Sequence, residues 1–117
     1  MKRPFLRSKI SGLVATDCNL DYDGSISLDG EIMTAAGIEE FEWVQVLNRS
    51  NGARFETYVI RAPEGTGQVV VNGPAARLAQ KGDGLIVLSY ALFDEDEERP
   101  KPSFVIVDKA NRIKVGV

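Results

Sequence analysis

No stretch of this chain is long enough and helically periodic enough to build a helical bundle. What recurs is a short apolar run, rich in β-branched and aromatic residues and ended by Gly, Asn-Gly or Pro. Such runs occupy residues 5–14, 24–28, 43–47, 53–61, 68–71, 85–92 and 103–107. A chain punctuated this way satisfies its backbone in a sheet. Two short segments read as helices. Residues 29–36 have Asp29 as N-cap and Glu31 in the first turn; residues 74–80 have Pro74 in the first turn and Gly82 past the end. Arg54, Glu56, Tyr58 and Ile60 alternate with Phe55, Thr57 and Val59, so this run has two unlike faces, whereas Leu85-Ile86-Val87-Leu88 is apolar throughout, like a strand covered on both sides. A small closed barrel accommodates both patterns. With 117 residues, 44% of them hydrophobic, a single domain over residues 1–117 can bury a real core. Pro100-Lys101-Pro102 reads as a stiff connector.

Charge and composition narrow the function. The net charge is −3, and the basic residues are scattered, so neither nucleic-acid phosphate nor an anionic membrane is favoured as a partner. The acidic run at residues 94–98 reads as a solvated loop or short helix without a function. Cys18 is the only cysteine, which excludes an intrachain disulfide and a cysteine metal cluster and suits a reducing cytoplasm. Neither a secretory leader nor a membrane-spanning run is expected, so the expected location is cytoplasmic. Histidine is absent, which removes Ser-His and Cys-His pairs and the commonest zinc ligand; no metal is expected. Proton chemistry near neutral pH then falls to Tyr, Lys, Asp or Glu.

The segment Leu20-Asp21-Tyr22-Asp23-Gly24-Ser25 is the chemically suggestive one. Taken alone, Asp-Gly-Ser is also what a tight hairpin turn looks like. Its company matters: Lys9 upstream, Asn51-Gly52-Ala53-Arg54-Phe55-Glu56-Thr57-Tyr58 downstream, and Val71-Asn72-Gly73-Pro74-Ala75-Ala76 beyond. In order and spacing this set resembles the pyruvoyl-dependent aspartate 1-decarboxylase family, from about Lys9 to about Asp108.

The resemblance implies a mainly β fold, a small double-psi β-barrel with two short helices. It implies self-cleavage between Gly24 and Ser25 into residues 1–24 and 25–117. The Ser25 hydroxyl would attack the Gly24 carbonyl, and β-elimination and hydrolysis would leave a pyruvoyl group at residue 25 as the only cofactor, with no metal and no pyridoxal phosphate. Gly24 leaves its carbonyl unshielded and tolerates a bent backbone. Thr57 would assist processing as an oxyanion partner, its plain role being a strand residue. The ketone would condense with the substrate amine as a Schiff base and act as an electron sink for decarboxylation. Tyr58 would return a proton, its plain role being a barrel aromatic. Arg54 and Lys9 would recognise the dicarboxylate, and Arg54 shares a strand face with Tyr58. Asn72, Gly73, Ala75 and Ala76 would line the substrate pocket, at a point where a helix start offers unpaired N–H groups.

The implied activity converts L-aspartate to β-alanine and carbon dioxide for pantothenate and coenzyme A synthesis, in a homotetramer with pockets at subunit interfaces. Three positions depart from the family pattern: Ser11 replaces a histidine, Leu47 an aromatic residue and Pro74 an alanine, and Pro74 removes a backbone N–H. Leu47 and Pro74 keep open a paralogue acting on a different small acidic amino acid; a separate alternative is an unprocessed barrel acting as a binding module with Gly24-Ser25 as an intact hairpin turn.

Overall fold

The computed structural model describes residues 1–99 and 101–116, so Pro100 of the expected connector lies outside the described residues. Among the described residues nine strands form one continuous hydrogen-bonded order. They are β1 (Lys2–Val14), β2 (Asp17–Asn19), β3 (Ser25–Asp29), β4 (Trp43–Asn48), β5 (Arg54–Ala62), β6 (Val69–Asn72), β7 (Gly84–Asp94), β8 (Ser103–Val107) and β9 (Ile113–Gly116). Every run read as extended is a strand; β2 and β9 are additions.

The strand order is β2-β6-β3-β5-β4-β7-β1-β8-β9. Strands β2 and β3 follow one another in sequence, yet β6 lies between them, parallel to β2 and antiparallel to β3. Likewise β1 lies between β7 and β8, antiparallel to the first and parallel to the second. Each arrangement is a ψ loop, and two of them on a curled sheet make the double-psi β-barrel. Alternate side chains point inward. Ile26, Leu28, Val44, Val46, Val59, Val69, Val71, Leu85 and Val87 are fully buried in one cluster, each contributing roughly 1.5–3 kcal/mol by leaving water.

The α-helix among the described residues, α1 (Gly30–Ala36), packs at the barrel end. Asp29 caps it as expected, its Oδ1 accepting the N–H of Glu31 at 2.9 Å. The same carboxylate accepts the N–H groups of Gly65 at 3.0 Å and Gly67 at 2.8 Å, tying the β5–β6 loop to the helix start. Burial pushes the Asp29 carboxyl up, but the Gly67, Glu31 and Gly65 N–H donors outweigh it and hold the group below its ordinary value. Gly37 ends the helix with φ 69° and donates to the carbonyls of the last turn.

The second expected helix is corrected by the structure: Gly73–Arg77 is a 3-10 helix, and residues 78–80 are not helical. The cause is competition for the Gln80 N–H. The Leu78 carbonyl accepts from the side-chain amides of Asn48 at 3.0 Å and Asn51 at 3.1 Å, and the Gln80 N–H donates to the Asp83 carboxylate at 2.8 Å. The Gln80 N–H is therefore not free to reach the Ala76 carbonyl, and the Leu78 N–H bonds the Ala75 carbonyl at 2.9 Å in the tighter three-residue pattern.

The loop between α1 and β4 is pinned by charge. The Arg7 guanidinium donates to the Glu42 carboxylate, to the Ser89 hydroxyl at 2.8 Å and to the Gly37 carbonyl at 2.7 Å. Burial raises the Glu42 carboxyl, but the Ser89 hydroxyl, the Glu39 N–H and Arg7 outweigh it and hold it low. The acidic run opens as the last residue of β7 and continues as a turn, with Asp94 3.5 Å from Lys2 and Glu95 3.5 Å from Arg3. Exposed pairs of this kind contribute about 0–1 kcal/mol. Among the described residues no helix is long and apolar enough to cross a membrane.

Candidate active site

Two rows of side chains cross the outer face of β2, β6, β3 and β5. In one row Asn19 stands opposite Asn72, and Asn72 opposite Ser25; in the next, Asp17 is opposite Val70, Val70 opposite Ser27 and Ser27 opposite Ile60. Tyr58 is one step back from Val59, the partner of Ile26, which puts it beside Ser25. The residues between, Cys18, Val71, Ile26 and Val59, turn inward to the core, as strand alternation requires. With Tyr22, Asp23 and Gln68, the two rows line a cavity of about 500 Å³.

At its floor one amide serves two hydroxyls. Asn72 Nδ2 donates to Ser25 Oγ at 3.0 Å and to Ser27 Oγ at 3.1 Å. An amide nitrogen carries two N–H bonds, so both contacts form together. Ser25 and Asn72 are buried, at 6% and 8% exposure. The Ser25 oxygen is thus held by a donor that asks nothing of its own O–H.

The peptide before Ser25 is shaped by the ψ connection. Since β2 and β3 flank β6, residues 20–24 cross over the end of β6 and do not close a hairpin, so Asp23-Gly24-Ser25 is no hairpin turn. Gly73, immediately after β6, has φ 73° and lies against this crossing: a Cβ there would be 2.7 Å from the amide nitrogen and Cα of Gly24 and from the Tyr22 carbonyl oxygen. At Gly24 itself a Cβ would meet nothing closer than Pro74 Cδ at 3.9 Å, and its φ is not positive. Neither packing nor backbone twist therefore demands glycine at 24. What glycine does supply there is an unshielded carbonyl beside the Ser25 hydroxyl.

The sequence-predicted residues divide into two groups. Ser25, Tyr58 and Asn72 line the cavity, with Gly24 and Gly73 packed at its rim. Thr57 is buried on the opposite face of β5, between Phe55 and Val59, so its expected approach to the Gly24 carbonyl is not made through this cavity. Arg54 is exposed on the same face as Tyr58 but four residues away, roughly 13 Å along the strand. Lys9, on β1 opposite Leu88 and Phe104, is separated from β5 by β7 and β4, roughly 14 Å across the sheet. Ala75 and Ala76 pack against the core instead of lining the cavity. Ser27, Asp17, Asn19 and Gln68 line it without having been singled out; Ser27 is detectable from its period-two spacing to Ser25, the others only once β2 and β6 are paired.

The cavity wall carries the carboxylates of Asp17 and Asp23 and, among the described residues, no lysine or arginine. Cys18, behind it, has its thiol pushed up by burial and by the Asp17 and Asp83 charges, which keeps it protonated. Chemically the arrangement offers a buried, hydrogen-bonded serine oxygen next to an unshielded peptide carbonyl, with a phenol in the same space.

Fold and site together define a double-psi β-barrel with a serine–asparagine–serine cluster beneath a Gly-Ser peptide bond. The chain belongs to the aspartate decarboxylase family, whose model matches residues 1–114. It is 52% identical over 109 residues to the aspartate 1-decarboxylase of Pelotomaculum thermopropionicum, covering 92% of this chain and 83% of that protein. To the aspartate 1-decarboxylase of Heliobacterium modesticaldum it is 46% identical over 114 residues, 97% of this chain and 86% of that one. The enzyme of the same name from Thermoanaerobacter pseudethanolicus is 47% identical over 113 residues, covering 96% of this chain and 97% of its own.

Proposed function

We propose that this chain is a self-processing aspartate 1-decarboxylase, which turns L-aspartate into β-alanine and carbon dioxide for pantothenate and coenzyme A synthesis in the cytoplasm. The observation that carries the reading is the Asn72 amide on the Ser25 hydroxyl, with Gly73 packed against Gly24.

In the precursor the Ser25 oxygen adds to the Gly24 carbonyl, the C–N bond breaks and an ester forms. Loss of the Ser25 Cα proton with cleavage of the Cβ–O bond then frees residues 1–24 as a carboxylate, and water replaces the nitrogen as ammonia departs. The pyruvoyl group so formed would supply a ketone electrophile for an amine and, in its conjugated amide, an electron sink for decarboxylation. The residues present fit it: residue 25 opens onto a cavity large enough for a small amino acid, and its neighbours are hydrogen-bond donors. Asn72 donates into this space from the cavity floor. Tyr58 holds the proton that the product carbon receives. Ile60 and Val70 give one wall an apolar surface that limits water.

The substrate's two carboxylates need cations, which the cavity wall does not provide in one copy. We assign that task to Lys9 and Arg54 of a neighbouring copy in a homotetramer. Supporting this, both lie on the outer faces of their strands, on a surface that also exposes Trp43, Tyr90, Phe104 and Ile106.

Intact mass under denaturing conditions tests processing: the expected products are residues 1–24 and a 25–117 piece without a terminal amine. Carbon dioxide release from aspartate, compared with glutamate and cysteate, tests the substrate. A full-length mass that releases no carbon dioxide would sink the proposal.

A further inference from the structure

Among the described residues two that are not glycine hold a positive φ: Asn111 at 57° and Phe41 at 70°. Asn111 is buried and explained, because its side chain binds the Val14 N–H, the Val14 carbonyl and the Gly67 carbonyl. Phe41 has no such account. A bulky residue is disfavoured in the left-handed region, and at 68% exposure its ring recovers little by burial.

Its conformation is nevertheless imposed from both sides. The Phe41 N–H donates to the Val59 carbonyl at 2.7 Å, and the Val59 N–H to the Glu42 carbonyl at 3.1 Å. The Glu40 carboxylate accepts the Arg61 N–H at 2.9 Å, and Glu42 is held by Arg7, Ser89 and the Glu39 N–H. A strained residue that its surroundings over-determine points to function. What the strain holds in place here is the Phe41 ring against Tyr58, with centroids 6.3 Å apart and planes at 43°. Trp43 stands opposite Tyr58 in the β4–β5 ladder, so Tyr58 has aromatic neighbours from two directions in the chain.

We propose that Phe41 is a positioning residue for the decarboxylation: its ring limits the rotation of the Tyr58 side chain and keeps the hydroxyl directed into the Ser25 cavity. The inference rests on the assignment of Tyr58 as proton donor made above. It separates stability from activity, because replacements that relieve the backbone should remove the support at the same time.

The test compares Phe41→Asn, Phe41→Gly and Phe41→Tyr as full-length, processed enzyme. The Asn and Gly variants accept the positive φ, so their Tm should equal or exceed that of the parent, and cleavage after Gly24 should run to completion. Their kcat for aspartate should fall about 2- to 10-fold, the rate equivalent of an aromatic pair, with KM little changed, and Phe41→Tyr should keep the parent kcat. In a Tyr58→Phe background Phe41→Asn should lower kcat no further. An Asn variant with the parent kcat would overturn the proposal, as would a loss of kcat that tracks a smaller assembly in sedimentation, which would make Phe41 an assembly contact. If Tyr58→Phe itself keeps the parent kcat, the Tyr58 assignment fails and this inference with it; if Tyr58→Phe is slow and Phe41→Asn is not, only the role of Phe41 fails.

Discussion

Gly73 is seated on Gly24 so closely that a methyl group on its Cα would lie 2.7 Å from the Gly24 amide nitrogen. The contact is between backbones, so no side-chain rotation relieves it. Gly73→Ala must therefore displace the segment that carries the Gly24-Ser25 bond, and it must also place alanine at φ 73°. The expected effect is a loss of about 1–3 kcal/mol with cleavage slowed at least tenfold, read as urea midpoint and as intact mass over time. Wild-type cleavage in this variant would show that the seat is irrelevant to processing.

Ser27 shares the Asn72 amide with Ser25. Ser27→Ala should lower stability by about 1 kcal/mol and slow cleavage several-fold, because the Asn72 side chain loses one of the two contacts that fix its orientation. Asn72→Ala removes the donor from both hydroxyls and should be worse, by about 1–3 kcal/mol. The ranking of the two cleavage rates is the measurement; equal rates for Ser27→Ala and the parent would remove Ser27 from the site.

Asp29 and Glu42 are both held below their ordinary values. The unfolded chain then binds protons more readily than the folded one as pH falls, so their contribution is complete above the ordinary carboxylate values of about 4 and disappears through the lowered folded values. Thermal unfolding should lose Tm steeply below about pH 4. Asp29→Asn should be less stable than the parent at neutral pH, with the two curves converging in acid; parallel curves would mean that Asp29 is not the titrating group.

Asn111 bonds three backbone groups, the Val14 N–H and the Val14 and Gly67 carbonyls, while adopting φ 57°. Asn111→Ala strips those partners and keeps the strain, a loss on the order of 3 kcal/mol. Asn111→Gly strips the same three bonds but relieves the strain, so it should lie between the parent and the Ala variant in urea midpoint.

Local pattern carried much of this architecture. The alternation in β5 puts Tyr58 and Thr57 on opposite faces, as the structure has them, and the Asp29 cap sets the start of α1. The three-residue β2 escapes because it has too few positions for a period to register, and its partner β6 is some fifty residues away in sequence. The early end of the 3-10 helix at Gly73–Arg77 escapes because the Gln80 N–H goes to the Asp83 side chain, a competition that capping signals do not register. At the site, parity tells which face a side chain occupies and not how far along or across the sheet it stands. Hence Ser25, Asn72 and Tyr58 meet as the sequence suggests, whereas Lys9 and Arg54 share a surface with Tyr58 without reaching its cavity.

The interleaving of strands has a consequence for what a cut after Gly24 would leave behind. The short piece would hold β1, threaded between β7 and β8, and β2, bound along β6. A molecule that folded as one chain would persist as an inseparable heterodimer of its own fragments, with no covalent tie between them. Once denatured, it would have to find its other half by collision, so renaturation would become second order in protein, and the native shape would be one that the chain reaches easily only before maturation.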